Sequence, residues 1–97
     1  MNIIGEVFKK RLYQDWENGT INFIFFMNVY EGVMIKGDRV STIPMLIADE
    51  IIDYKIGDKI KIEGIVEFRR IITPSGKLSF SPLPIIIPYS HYQLSYQ

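Results

Sequence analysis

The sequence predicts a small all-β domain in which five strands close into a barrel, with one short helix between the third and fourth strands. Apolar and polar residues alternate along most of the 97-residue chain, and β-branched and aromatic residues dominate the alternating runs. Gly, Pro and Asn-Gly signals separate these runs. With 47% hydrophobic residues, the chain has enough apolar surface for the core of a single domain over residues 1–97.

Five alternating runs are the predicted strands, and they cover residues 3–8, 21–30, 39–48, 59–72 and 77–87. Asn18-Gly19 marks a turn after the first run, and Thr73-Pro74-Ser75-Gly76 marks the turn of a hairpin between the last two. Side chains alternate between the two faces of a strand. We therefore expect Phe25 and Met27 to face the core and Phe26 to lie on the outer face.

Residues 48–55 are the one helical candidate. Asp49 could cap this segment, and Ile51, Ile52 and Tyr54 would give it an apolar side. Three strands, a short helix and two further strands follow the order of the OB-fold, a five-stranded Greek-key barrel. An SH3-like barrel, which has no helix between its third and fourth strands, is the alternative.

Composition and motifs argue against catalysis. The chain has no cysteine, which excludes disulfides, thiolate metal sites and cysteine nucleophiles. Its single histidine, His91, has no catalytic partner nearby in the sequence and is interpreted as a surface residue. We expect no enzyme activity, no cofactor and no metal. No apolar run approaches the ~20 residues that cross a bilayer, and the start lacks the features of a signal peptide, so we expect a cytoplasmic protein without membrane contact.

Charge is balanced but unevenly distributed. Eleven basic and eleven acidic residues give zero net charge, which is unusual for a nucleic-acid-binding protein. The cations cluster at residues 9–11, 36–39 and 69–77, whereas acidic residues gather at 49–53. Segregated charge can give a neutral molecule one positive face, although solvated loops are the other interpretation.

Two stretches resemble a known family. The run Asn22-Phe23-Ile24-Phe25-Phe26-Met27-Asn28 resembles the second strand of bacterial single-stranded-DNA-binding proteins, and residues 56–64 (IGDKIKIEG) resemble the passage into their fourth strand. Gly76, in a hairpin turn before the fifth strand, continues the pattern. The resemblance implies an OB-fold that binds single-stranded DNA as a dimer or tetramer in replication or recombination. The family's Gly/Pro-rich linker and acidic tip are missing, which implies a minimal module of phage, plasmid or primosomal type.

Single-strand binding without sequence preference needs aromatic faces on which bases stack and cations along the phosphate path. In OB-folds the ligand crosses the second and third strands, between the loop after the first strand and the loop joining the last two. The aromatic and basic residues of these regions are the predicted contacts with single-stranded DNA or RNA: Lys9, Lys10, Arg11, Tyr13, Trp16, Phe26, Tyr30, Lys36, Arg39, Phe68, Arg69, Arg70 and Lys77. Phe23, Phe25 and Phe80 are predicted to pack in the core.

A protein-interaction or assembly subunit without nucleic-acid binding is the alternative function. Its interface would contain Trp16, Phe26 and residues 83–88, and the zero net charge favours it. Ile85-Ile86-Ile87 places β-branched side chains on both faces of one segment, which would leave one face exposed at the edge of a lone barrel. We therefore expect a homodimer or tetramer that covers this segment or the strand at 78–84, as light scattering can measure.

Overall fold

The computed structural model describes residues 1–14, 21–47 and 54–94. These residues form five strands: β1 (Asn2–Gln14), β2 (Ile21–Ile35), β3 (Asp38–Ile47), β4 (Lys59–Arg69) and β5 (Leu83–Gln93). The strands close into a barrel in the order β1-β2-β3-β5-β4, and β4 pairs back onto β1. Neighbouring strands are antiparallel except β3 and β5, which meet in parallel at Met45 and Ile86. The predicted five-stranded all-β barrel is confirmed, and its strand order is consistent with an OB-like barrel.

The segment predicted as a helix is not helical where the structure describes it. Tyr54 and Lys55 have no helical structure, and residues 48–53, which include the predicted cap Asp49, lie outside the described residues. The Asp58 side chain accepts a hydrogen bond from Lys55 N–H at 2.9 Å, and Asp58 N–H donates to the Lys55 carbonyl at 3.0 Å. These local bonds form a turn that competes with a helix. The three described segments contain no helix that could cross a membrane.

The second strand is longer than predicted because it forms a tight hairpin with the third, which has the predicted length. Lys36 (φ 50°) and Gly37 (φ 85°) make a two-residue turn between the paired residues Ile35 and Asp38. Two consecutive positive φ values characterise the type I′ turn, whose twist matches that of the flanking strands. Most of residues 31–38, which lie between the predicted second and third strands, are therefore strand.

The fifth strand begins and ends later than predicted. It continues to Gln93, six residues beyond the predicted end, and its register with β4 shifts by a bulge between Glu63 and Gly64. A Cβ added at Gly64 would lie 2.4 Å from the Ile87 carbonyl oxygen and 2.9 Å from the Pro88 Cα. Only glycine permits this close approach of the two backbones.

The barrel interior holds the main hydrophobic core. Buried side chains from all five strands meet there; Val7 of β1 is 1% exposed, and Phe25, Ile43, Ile60 and Ile86 of the other four strands have no measurable exposure. These residues follow the period-2 pattern that the sequence predicts for their strands. The inward orientation predicted for Phe25 and Met27 is confirmed.

A second apolar cluster lies on the outside of the barrel. Ile24, Phe26, Leu46, Ile71 and Ile85 are buried together there. The exposed position predicted for Phe26 is therefore wrong, since its side chain is only 4% exposed. Its parity is as predicted, but the chain between β4 and β5 packs over this face of the barrel and excludes water from it.

The predicted exposed apolar face at residues 85–87 is absent, because the outer cluster and the barrel core cover this segment. Ile85 is buried in the outer cluster, Ile86 is buried in the barrel core, and Ile87 packs partly against the outer cluster. Both faces of this segment are thus covered within one chain. A second copy is therefore not needed to cover residues 85–87, whereas Leu78 and Phe80 of the predicted alternative segment at 78–84 are exposed. The predicted homodimer or tetramer stays a prediction.

Candidate nucleic-acid interface

The connection from β4 to β5, residues 70–82, forms a short hairpin that we call the β4–β5 excursion. Ile72 and Leu78 form an isolated antiparallel bridge within it. Thr73 N–H donates to the Lys77 carbonyl at 2.8 Å, and Thr73 Oγ1 donates to the same carbonyl at 3.0 Å. The tight turn predicted here is confirmed, and these bonds give the excursion a defined shape.

Ser79 fixes the returning arm of the excursion. Its Oγ accepts a hydrogen bond from Ile71 N–H at 3.0 Å, and Ser79 N–H donates to the Ile71 carbonyl at 2.8 Å. Arg70 Nε donates to the Ser79 carbonyl at 2.9 Å. Side chains alternate along an extended chain, so the burial of Ser79 directs Leu78 and Phe80 outward.

Phe80 is an exposed aromatic residue that the sequence did not assign to the candidate site. Its side chain is 98% exposed, so the prediction that it packs in the core is wrong. The sequence does contain a signal: Ser79, Ser81 and Pro82 surround Phe80, and they interrupt the apolar alternation that would place it in a strand. A fully exposed phenyl ring on an anchored backbone is available to stack on a ligand.

Cations accompany the exposed rings. Lys36 Nζ lies 4.1 Å from the centroid of the Phe68 ring, which joins the β2–β3 turn to the end of β4. Arg69 Nη2 lies 2.5 Å from Glu67 Oε2 in an exposed ion pair. Such pairs contribute little to stability, so Arg69 can exchange this partner for a phosphate at small cost. Lys77 is exposed in the excursion.

These side chains form one candidate interface, which we call the basic–aromatic surface. It consists of Lys36, Phe68, Arg69, Arg70, Lys77 and Phe80. Lys36 contacts the Phe68 ring, and the Arg70 bond to Ser79 lies at the base of Phe80. Arg69 and Lys77 are included because of their positions in the chain, at the end of β4 and in the excursion. The sequence carries no Asp or Glu from residue 68 to residue 97, so the charge of the excursion is positive. Five of these six residues are among the predicted contacts.

Arg11, another predicted contact, supports the excursion from β1. Its Nη2 donates to the Pro74 carbonyl, and its Nε is buried without a hydrogen-bond partner. Gly76 also lies against this guanidinium, since a Cβ there would be 3.5 Å from Nη2. Arg11 therefore holds the excursion onto the barrel and is not a freely exposed phosphate contact.

Tyr30 lies far from the basic–aromatic surface. The Tyr30 ring is exposed, and Lys59 Nζ lies 5.5 Å from its centroid. Lys59 begins β4 and Phe68 nearly ends it, a separation of about 30 Å along a strand at ~3.3 Å per residue. The structure thus does not bring Tyr30 together with the aromatic residues of the excursion.

The remaining predicted contacts are distributed over the barrel. Arg39 Nη1 donates to the Glu31 carbonyl at the β2 bulge, and Lys10 Nζ lies 5.9 Å from the centroid of the Phe23 ring. Lys9 is exposed and lies opposite the buried Phe26 in the β1–β2 register. Trp16 and the side chain of Tyr13 lie outside the described residues, so their placement stays a prediction.

His91 lies in β5 and is partly buried, in contrast to its predicted surface position. Its Nδ1 is 2.6 Å from Tyr54 Oη, and the two rings are 5.6 Å apart in an edge-to-face arrangement. Tyr54 also packs edge-on against the buried Phe25 ring at 5.5 Å. This histidine therefore contributes to the packing at one end of the barrel. Among the described residues, no group of three or more His, Cys, Asp or Glu could hold a metal ion.

Comparisons with known proteins bear on the family resemblance. No family model, curated protein or solved structure matches the chain. The resemblance to bacterial single-stranded-DNA-binding proteins therefore stays a prediction.

Proposed function

We propose that this chain is an OB-fold module that binds single-stranded nucleic acid, specifically single-stranded DNA, with little dependence on base sequence. The closed five-stranded barrel supports the proposal, because its strand order suits this fold. OB-folds bind oligonucleotides beside the loop that joins the fourth and fifth strands. The basic–aromatic surface consists of residues of that loop and of the end of the strand before it, together with Lys36 of the β2–β3 turn.

The exposed ring of Phe80 is the observation that carries the proposal. Its side chain is 98% exposed on a backbone held by Ser79 and Arg70. Leaving a large apolar ring in water is unfavourable unless a partner covers it. A base can stack on either face of such a ring, and stacking does not discriminate strongly among bases. Weak sequence preference follows from this mode of contact.

The neighbouring cations supply the second element that single-strand binding needs. Arg70 and Lys77 lie in the excursion, which has no acidic residue; Arg69 precedes it and is paired with Glu67, and Lys36 lies over the Phe68 ring. A local positive field of this kind attracts a phosphate chain even when the whole molecule is neutral. Because few cations take part, we expect a moderate salt dependence.

The biological setting is part of the same proposal. A module of this kind would act on exposed single strands in the cytoplasm during DNA replication or recombination, as a homodimer or tetramer whose interface leaves the excursion free.

An assembly subunit is the second candidate, and one observation favours it. Leu78 and Phe80 project together from the excursion, with 53% and 98% of their surfaces exposed. An adjacent aliphatic and aromatic pair also suits a protein partner, because aromatic residues are enriched in the centre of protein interfaces. The two candidates differ in whether the arginines contribute through their charge.

The double variant Arg69→Ala with Arg70→Ala tests this difference. We expect weaker binding to labelled oligo-dT and, equally, to oligonucleotides of other sequences. The slope of log K against log salt should be flattened by up to about 1.4, or ~0.7 for each lost phosphate contact. Fluorescence anisotropy at several salt concentrations measures both quantities. The double variant Arg69→Lys with Arg70→Lys retains the charge and should keep the slope, even though it loses the Arg70 bond to Ser79.

A second control removes charge elsewhere. Lys55→Ala with Lys61→Ala should leave oligo-dT affinity nearly unchanged. Lys55 lies in the turn before β4 and Lys61 in the first half of β4, whereas the basic–aromatic surface lies at the end of that strand. Equal affinity and equal salt slope in the Arg69/Arg70 alanine variant and the wild type would reject the proposed surface and favour the assembly subunit.

A further inference from the structure

An apolar cavity of about 320 Å³ opens beside the excursion, where β3 and β5 part. The two strands pair only at Met45 and Ile86, so they diverge toward the start of β5. Pro44 and Pro84 line the gap and have no N–H with which to extend the pairing. The volume is at the low end of the ~300–1,000 Å³ typical of ligand pockets, which suits one ring-sized group.

The cavity wall is almost entirely apolar. Phe8 and Phe26 form part of it with ring centroids 6.4 Å apart, and aliphatic side chains and prolines form most of the rest. None of its lining residues is charged. Thr42 and Thr73 supply the only side-chain hydroxyls of the lining, and the Thr73 hydroxyl already bonds the Lys77 carbonyl. The Thr42 hydroxyl is thus the one available to a ligand.

Cations lie around this apolar cavity on two sides. Lys9 pairs in register with the wall residue Phe26. On the other side, Lys77 is exposed in the excursion, and its carbonyl accepts a hydrogen bond from Thr73, which lines the cavity. A ligand that suits this arrangement has a flat, largely apolar group flanked by negative charge. A nucleotide within a strand has that form, because phosphates lie on both sides of each base.

We infer that this cavity receives one base of the bound strand and that it favours thymine. The inference rests on the proposed function and adds a single base-selective position to otherwise unselective binding. The thymine methyl group would contact the apolar wall, as thymine methyl groups do in DNA-binding proteins. Thymine carries one N–H donor, at N3, which the Thr42 hydroxyl can accept. Adenine, cytosine and guanine each carry an amino group with two N–H donors, of which at least one would stay unpaired against this wall, and an unpaired buried donor is costly.

Length-matched oligo-dT and oligo-dU test the inference, because the bases differ only by the methyl group. For the wild type we expect oligo-dT to bind about fourfold more tightly, the effect of burying one methyl group. Thr42→Leu fills the cavity mouth and should bring the ratio close to one. Ser41→Leu adds the same side chain at the neighbouring exposed position of β3, outside the cavity lining, and should keep the ratio. Circular dichroism checks that both variants fold.

The outcomes separate the inference from the proposed function. Tight binding of both oligonucleotides with equal affinity by the wild type would overturn the thymine pocket and leave single-strand binding intact. An unchanged ratio in Thr42→Leu would place the methyl preference elsewhere and overturn the pocket as well. Failure of the wild type to bind either oligonucleotide would reject the proposed function and the pocket together.

Discussion

Phe25→Ala is expected to lower the free energy of unfolding by about 3–5 kcal/mol, the range for removing a fully buried phenyl ring. Phe25 has no measurable exposure and contacts the rings of Phe23 and Tyr54, with centroid distances of 5.9 Å and 5.5 Å. Its removal would leave a cavity between β2 and the end of the barrel at which Tyr54 packs. For a domain of this size, such a loss is a large fraction of the total stability.

Urea denaturation followed by circular dichroism measures this effect, with Phe80→Ala as the matched control. The two variants delete the same ring, but Phe80 makes almost no contact with the rest of the chain. We expect the control to unfold within about 0.5 kcal/mol of the wild type, as exposed substitutions usually do. Similar losses of stability in the two variants would contradict the positions that the structure gives to these rings.

Phe80→Ala should instead weaken oligo-dT binding by about 1–3 kcal/mol, or roughly 5- to 150-fold, because one stacked base loses its aromatic partner. The salt slope should stay as in the wild type, since no charge is removed. Fluorescence anisotropy with labelled oligo-dT measures both, and urea denaturation confirms that the fold is retained.

Two further substitutions at the same position separate stacking from general apolar contact. Phe80→Trp retains an aromatic face and should bind at least as well as the wild type. Phe80→Leu retains an apolar side chain without a π-face and should bind nearly as weakly as Phe80→Ala. Full oligo-dT affinity in Phe80→Ala would show that this ring does not contact the strand, and the basic–aromatic surface would then lose its central member.

Local sequence signals predicted the barrel well. The alternation around Phe25, Met27, Ile60 and Ile62 identified strands and their inward faces, because period-2 patterning depends only on neighbouring residues. The ends of the strands were less predictable. The β2–β3 hairpin depends on a Lys-Gly turn whose lysine adopts a positive φ, a conformation that is uncommon outside glycine.

The candidate site was predicted in composition but not in placement. Arg69, Arg70 and Lys77 were identified because cations in a loop are visible in the sequence. Phe26 was expected to be exposed but is buried, because the excursion packs over the outer face of the barrel there. Phe80 was expected in the core but is exposed, because the excursion directs it away from the barrel. This packing depends on long-range contacts such as the bond from Arg11 to Pro74, which no local pattern reveals.

Single-strand binding itself is tested most directly by titrating the wild type with labelled oligo-dT and with a labelled duplex of the same length at equal salt. The proposal predicts saturable binding to oligo-dT and clearly weaker binding to duplex, because stacked and paired bases cannot reach the faces of Phe68 and Phe80. No binding to oligo-dT, or tighter binding to duplex, would contradict it.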